Sequence, residues 1–453
     1  MAVEVVELAR ECEYRVEVSA AAEVRLKLKS GSAELFGVEL AIDSEYVFRD
    51  RKLAVFTWYG CSLEVSGAPE VAYTSDETPM NSYLNVHAQL QRRRELASAK
   101  HASGPRVLVC GPVDSGKSTL AQLLTNYALR LGEKPTLVDL DVGGGSLSVP
   151  GTIAATPLDM NCINVEEEFV LTNPLSFFFG HPALSDNPEL FRIHVRQLAA
   201  AVTRRMANDE QGALQSVNLS YCPMVTVLSA SGCIINTCGW VDGLGFDLLV
   251  DAIRAFDVDV VLVIGQDRLF SRLQSSLGAT AANSKLSIVK LARSGGVVPL
   301  NSKHRSAARL ARIREYFYGH NSLHLSIPML SPCISELSFD DVDFFAVRDM
   351  KVSDVMLPVG QTEDQMERLQ IVPVPKTTDL AHSIAAVAHQ RQGRADGSSS
   401  ASTDQSWMLA TPVAGFVFIK EIREDEQKIV LLVPSPGSLP SRNLLIGSIK
   451  WME

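Results

Sequence analysis

Residues 111–119 read GPVDSGKST, with RVLVC at 106–110 before them and LAQLLTNYALRLG at 120–132 after. A short apolar run, a glycine-bounded turn and a segment placing Leu120, Leu123, Leu124, Tyr127, Ala128 and Leu131 on one helical face predict a strand, a loop and a helix that stops at Gly132. The loop satisfies the Walker A pattern GxxxxGK[ST] through Gly111, Gly116, Lys117 and Ser118. Glycines let the main chain turn so tightly that successive N–H groups and the helix amino end converge on phosphate oxygens. Lys117 then adds a point charge at the β and γ phosphates, and Ser118 or Thr119 offers a hydroxyl to Mg2+. The competing reading, a chance glycine-rich turn, does not explain why strand, helix and a later acidic strand end arrive together.

That acidic end is PTLVDLD at 135–141. Alternation along a strand puts Asp139 and Asp141 on one side, with Val138 and Leu140 opposite. A carboxylate there holds Mg2+ through water or accepts a proton from an attacking hydroxyl. Asp141 is the expected Walker B residue because it lies nearer the carboxyl end, where ligands of such sheets bind; a solvated loop-edge aspartate is the bland alternative. No guanine-reading NKxD element occurs, so the expected nucleotide is ATP.

The strands RVLVC, PTLVDLD, SGCIINT and DVVLVIG alternate with helical segments such as FDLLVDAIRAF, which predicts a doubly wound parallel α/β domain over 103–319. Before it, residues 14–75 run as short period-two segments broken by Gly, Ser and Asp, the pattern of a small β-sandwich or barrel. A polar helix predicted over Ser82–Lys100, carrying Leu84, Leu90 and Leu96, completes a first domain at 1–102. Residues 320–453 are again strand-rich and form a third, with a disordered loop expected at 391–406, where RQGRADGSSSASTDQS is almost devoid of apolar residues.

Three domains suit 453 residues, since a single domain typically takes about 100–200. The formal charge of −10 argues against nucleic-acid binding over the whole surface and confines any such contact to a patch. Eight cysteines without CxxC pairs fit reduced thiols better than a zinc site or a disulfide framework. The amino terminus lacks a basic start followed by an apolar run, and no stretch is long enough to span a bilayer, so an intracellular chain without membrane contact is expected.

Two further features bear on what receives the phosphate. Lys285 to Arg314 holds Lys285, Lys290, Arg293, Lys303, Arg305, Arg309, Arg312 and Arg314 with no Asp or Glu, which reads either as a lid over a transferring phosphoryl group or as a solvated basic face. Trp240, in TCGW just after SGCIIN, stands where an indole can stack on a base, although tryptophan is more often a core residue.

Taken in order, GPVDSGKSTLAQLLTNYALRLG, PTLVDLDVGGGSLSVPG, SGCIINTCGW, SGGVV, RIREYFYG, LVPSPGSLPSRNLLI and the linker TPMNSYLNVHAQLQ closely resemble the Clp family of polynucleotide 5′-hydroxyl kinases and pre-mRNA cleavage and polyadenylation factor subunits. The resemblance spans nearly the whole chain. It implies an amino-terminal β-sandwich, a central RNA-kinase-like P-loop domain and a small carboxy-terminal α/β domain. It also implies nucleotide contacts at Glu13 and Lys52, phosphate contacts at Asp114, Ser115, Gly116, Lys117, Ser118 and Thr119, a metal held by Ser118 and Asp141, and a substrate clasp at Thr237, Gly239 and Trp240. Catalysis falls to Lys117, Asp141 and a lid arginine, Arg305; the family's other lid arginine is replaced by Leu300, and Gly144 stands where many relatives have Gln.

The implied setting is the nucleus. The implied partners are RNA with a 5′-hydroxyl end, other subunits of the cleavage and polyadenylation complex and, as an open question, the tRNA splicing endonuclease. Two readings of function follow: an ATP-binding subunit with RNA 5′-hydroxyl kinase activity, or an inactive scaffold locked by ATP. The intact GKS and Asp141 favour the first, Leu300 the second.

Overall fold

The structure, a computed structural model, describes residues 3–167, 169, 174–216, 228–278, 286–319, 330–349, 369–389 and 406–452. Among these, nine strands come first: β1 Val3–Leu8, β2 Cys12–Val18, β3 Val24–Gly31, β4 Glu34–Leu35, β5 Val38–Glu39, β6 Glu45–Phe48, β7 Arg51–Thr57, β8 Cys61–Gly67 and β9 Val71–Ser75. Then follow α1 Met80–Lys100, β10 Arg106–Cys110, α2 Lys117–Arg130, β11 Thr136–Asp139, β12 Thr152–Pro157, β13 Leu175–Phe178, α3 Pro188–Ser216, α4 Leu228–Ser231, β14 Cys233–Asn236, α5 Leu244–Ala255, β15 Val260–Ile264, α6 Asp267–Gly278 and β16 Ser287–Leu291. The last are α7 Ser302–Tyr318, β17 Cys333–Ser338, β18 Asp343–Asp349, β19 Leu369–Val374, β20 Ser383–Ala388, β21 Val413–Arg423, β22 Lys428–Val433 and β23 Asn443–Lys450. The chain forms two compact units, Met1–Val138 with Thr156–Asn173 and Val202–Leu300, and Asp139–Ala155 with Pro174–Ala201 and Asn301–Glu453.

The first unit opens with the expected sandwich, one sheet ordered β1-β8-β3-β6 and the other β5-β4-β7-β2-β9. Period two dictates its layers. Tyr14, Val16 and Val18 of β2 join Leu26, Leu28, Phe48, Leu53, Val55 and Leu63 in the core. The intervening Glu13, Arg15 and Glu17 therefore project from the opposite face of β2, beside the antiparallel neighbours β7 and β9.

Helix α1 starts at Met80, two residues before the predicted Ser82, and of its three predicted leucines only Leu90 joins its buried stripe. Leu84 and Leu96 are exposed, whereas Met80, Tyr83, His87, Leu90, Arg94 and Ala97 are buried at helical spacing. Leu84, Leu90 and Leu96 recur every six residues, which is no helical period, so they cannot share a face. Behind α1 lies the parallel sheet: β10 pairs with β14 on one side and β15 on the other, and β15 pairs with β16.

His87 gives this unit a pH dependence. Its Nδ1 is buried with no hydrogen-bond partner among the described residues, and the Tyr127 ring stands 5.1 Å away. Burial, then the charges of Arg94 and Arg130, lower its pKa from 6.5 to about 4. Between those values the unfolded chain binds a proton that the folded chain refuses, so stability is highest above the unfolded pKa and declines as pH falls towards 4. The melting temperature is expected to drop over this window, and His87→Gln to drop less steeply; equal slopes would refute the assignment.

In the second unit β12 and β13 pair antiparallel, and a separate sheet runs β17-β22-β21-β20-β23-β18-β19. Every residue of β20 is buried. Ile384, Ala386 and Ala388 face one core, shared with Ile313 and Phe317 of α7, and Ala385 and Val387 face another. Phe317 stacks on Trp451 with planes 5° apart. Glycine is required where Gly180 and Gly447 pass, since a Cβ on residue 447 would lie 2.0 Å from the Gly180 carbonyl oxygen. The expected disordered loop at 391–406 falls outside the described residues except for Ser406, which opens the 3-10 turn Ser406–Leu409.

Candidate functional site

Strand β10 delivers the chain to Gly111, and α2 runs from Lys117 to Arg130, so the predicted strand, loop and helix stand, except that Leu131 lies past the helix end and is exposed. The loop needs unusual backbone at Gly116 (φ 89°) and also at Asp114 (φ 53°), a left-handed conformation that aspartate tolerates better than most residues. A Cβ on Gly116 would come within 3.2 Å of Val297 Cγ2, which lies against the loop. Ser115 is buried, and its Oγ has no hydrogen-bond partner among the described residues. Lys117 is also buried and its Nζ donates to the Pro112 carbonyl at 2.7 Å, which holds the ammonium over its own loop. Ser118 and Thr119 are exposed, and Ser118 Oγ accepts from Asn236 Nδ2 at 3.2 Å. Burial pushes the neighbouring Cys110 thiol up to about 12, so it stays protonated and inert.

The predicted clasp residues sit beside this loop in the same unit. Thr237 Oγ1 donates to the Val109 carbonyl at 2.8 Å, which ties the segment after β14 to β10. At Gly239 a Cβ would lie 2.5 Å from Val113 Cγ2 and 2.6 Å from the Val113 nitrogen, so the two loops meet backbone to backbone. Trp240 is half-buried and packs on Gly245 at the start of α5. Gly239→Ala is expected to cost about 1–3 kcal/mol by overpacking and to weaken phosphate binding, because Val113 must yield. Chemical denaturation and a nucleotide titration check this; unchanged values in both would mean that the loops are independent.

Leu300, at the position where the resemblance implies a lid arginine, donates its backbone N–H to Asp114 Oδ2 at 3.1 Å. Glu13 is buried, with Arg15 Nε donating to Oε2 at 2.7 Å and the Thr78 hydroxyl donating to Oε1. Lys52 lies on β7 opposite Glu17 and pairs with it at 3.1 Å, four positions along β2 from Glu13.

Strand β11 ends at Asp139, so Asp141 belongs to the turn that follows, whereas its sequence alternation had implied a place in the strand. Asp139 organises that turn: its carboxylate accepts from the N–H groups of Asp141 and Ser146 and from the Ser146 hydroxyl. Asp141 accepts from the Gly143 N–H at 3.1 Å, and a Cβ on Gly144 would stand 3.3 Å from its Oδ2. Arg305 lies in the first turn of α7, which Asn301 caps by accepting from the His304 N–H at 2.8 Å. The basic run is partly neutralised: Lys290 pairs with Asp267 and Arg312 with Glu315. Lys285 falls outside the described residues. Sequence reasoning missed Asn236 and the role of Asp139; a polar residue ending the otherwise apolar buried strand CIIN was the available signal for the first.

An interior strand with parallel neighbours on both sides, running through a glycine loop into a helix headed by lysine, defines a P-loop protein. The full length makes the assignment narrower. The chain belongs to the Clp1 family: residues 111–319 match the mRNA cleavage and polyadenylation factor CLP1 P-loop, 7–97 the N-terminal beta-sandwich domain of polyadenylation factor, and 330–453 the pre-mRNA cleavage complex II protein Clp1. It is 39% identical over 448 residues to the human polyribonucleotide 5′-hydroxyl-kinase Clp1, covering 99% of this chain and 96% of that one. Against the Arabidopsis thaliana protein CLP1 homolog the identity is 39% over 457 residues, covering 99% and 94%. In fold it is similar to the Clp1p chain of a solved wild-type Clp1p–Pcf11p complex, with a TM-score of 0.78, 24% identity and coverage of 100% of this chain and 99% of that one.

Proposed function

We propose that this chain is an ATP-binding subunit of the pre-mRNA 3′-end cleavage and polyadenylation machinery, acting in the nucleus, that transfers the γ-phosphate of ATP to the 5′-hydroxyl of RNA. The observation that carries the reading is the phosphate loop, with Lys117 held over it and the Thr237–Trp240 segment packed onto Val113. The full-length similarity to relatives named polyribonucleotide 5′-hydroxyl kinases supports the choice of acceptor.

In this reading the loop N–H groups and Lys117 bind the β and γ phosphates, and Glu13 and Lys52 serve the nucleoside end. Trp240 stacks on the terminal base while Thr237 and Gly239 hold the segment that carries it. The RNA 5′ oxygen forms a bond to the γ phosphorus, the bond from that phosphorus to the β–γ bridging oxygen breaks, and ADP leaves. Asp141 takes the hydroxyl proton, and Arg305 offsets charge on the moving phosphoryl group. Mg2+, for which the exposed Ser118 hydroxyl and the Asp141 carboxylate are suitable oxygen donors, would neutralise phosphate charge. Partners in this reading are the other cleavage-factor subunits; the tRNA splicing endonuclease is the further partner to test.

Leu300 favours a second reading, an ATP-locked scaffold without turnover, because it puts an uncharged side chain where the family's lid cation stands. Labelled ATP and a 5′-hydroxyl oligoribonucleotide separate the two. Transfer lost in Asp141→Asn and Arg305→Ala supports the kinase. Copurifying ATP with no transfer supports the scaffold, and transfer surviving Asp141→Asn removes that residue from the chemistry.

A further inference from the structure

Arg15 is a buried cation, 6% exposed, on the face of β2 that turns away from the sandwich core. Two of its nitrogens are held by hydrogen bonds. Nε donates to Glu13 at 2.7 Å, Nη2 donates to the Glu77 carbonyl at 2.6 Å, and the guanidinium carbon lies 5.8 Å from the ring centre of its cross-strand neighbour Tyr73. Two glycines of the SGGVV segment lie against it: a Cβ on Gly296 would fall 2.8 Å from Arg15 Nε, and one on Gly295 3.3 Å from Nη1. The next residue is Val297, which contacts the phosphate loop at Gly116, and Leu300 closes the segment with its hydrogen bond to Asp114. At the segment's other end the Tyr83 hydroxyl donates to the Ala292 carbonyl at 3.1 Å.

Residues 292–300 thus touch the sandwich and linker at 292, 295 and 296, and the phosphate loop at 297 and 300. We propose that Arg15 is a positioning residue for the nucleotide: it fixes the Glu13 carboxylate and lays the 294–300 segment on the phosphate loop, so that the two ends of a bound ATP are set by one side chain. This rests on the reading of the loop as an ATP site. A lysine could not do the same, because a point charge lacks the planar fork that reaches Glu13 and the Glu77 carbonyl while its flat face meets glycine.

The experiment measures dissociation constants for ATP and for inorganic tripolyphosphate, with the melting temperature of the nucleotide-free chain, in wild type, Arg15→Lys, Arg15→Met, Glu13→Gln, the Glu13→Gln/Arg15→Met double variant and Gly296→Ala. Arg15→Met and Arg15→Lys are expected to weaken ATP at least about tenfold, a coupling of ordinary size for a positioning contact. The double variant is expected to be no weaker than Arg15→Met. Tripolyphosphate affinity falls in Arg15→Met and Gly296→Ala but not in Glu13→Gln, a split that a purely structural ion pair does not produce. Gly296→Ala keeps the test open if Arg15→Met fails to fold, since it leaves the arginine in place and only displaces it. ATP affinity within twofold of wild type in the Arg15 variants and Gly296→Ala, or losses that multiply in the double variant, would overturn the proposal. Wild type that binds neither ATP nor tripolyphosphate overturns the ATP-site reading, and is told apart because every chain then behaves alike.

Discussion

Lys117→Ala is expected to lower transfer of labelled phosphate from ATP to a 5′-hydroxyl oligoribonucleotide by ~10²–10³-fold, the usual loss when one preorganised electrostatic donor is removed from a transition state. Its ammonium is buried and held at 2.7 Å by the Pro112 carbonyl, so it waits close to where phosphate charge develops and little reorganisation is needed when that charge arrives. The loop backbone does not depend on the side chain, because Gly116 and Asp114 set the turn with their left-handed dihedrals. The melting temperature of the nucleotide-free variant should therefore stay near that of wild type. A variant that transfers phosphate at the wild-type rate would remove the lysine from the reaction; one that unfolds would make its role structural.

Arg94→Ala is expected to destabilise the first unit by about 3–5 kcal/mol, the cost of breaking a buried charge network by deleting one partner. Arg94 is 1% exposed. Burial lowers its pKa to about 10, against the opposing charge of Glu133, so it remains a cation at neutral pH. Nε donates to the Ser231 carbonyl at 3.0 Å, while Glu133 accepts from Gln91 at 2.9 Å and from the Ser231 hydroxyl at 2.7 Å. Without the guanidinium, α1 loses its bond to the Ser231 carbonyl at the end of α4, and a cavity opens where the buried side chain lay. Urea denaturation monitored by fluorescence measures the loss; a change under about 1 kcal/mol, the range of a surface ion pair, would show that the network does not hold the helix.

Much of this was open to reading from residues alone, because it depends on neighbours in sequence. The GKS turn, the alternation in β2 and β3 and the apolar run of β15 each carry their own period. What was hidden depends on partners far along the chain. Arg94 and His87 look like polar surface until Ser231 and Tyr127 are beside them. Arg15 likewise needs Gly295 and Gly296, some 280 positions away, to show why a cation is buried in a sandwich strand. Asp139 and Asp141 were paired by alternation, yet the strand stops between them because Asp139 uses its carboxylate to start a turn. Lys52 was placed by resemblance, and only cross-strand register reveals its pairing with Glu17.

The position of β23 has a consequence for how the protein is made. It fills an interior slot between β20 and β18, parallel to one and antiparallel to the other, although both precede it in sequence. While the ribosome is still extending the chain, those two strands emerge with bare edges and cannot close on each other until residues 443–450 leave the exit tunnel. Completion of this sheet must therefore wait for residues 443–450, and a nascent chain stalled before that point would be a natural client for chaperones.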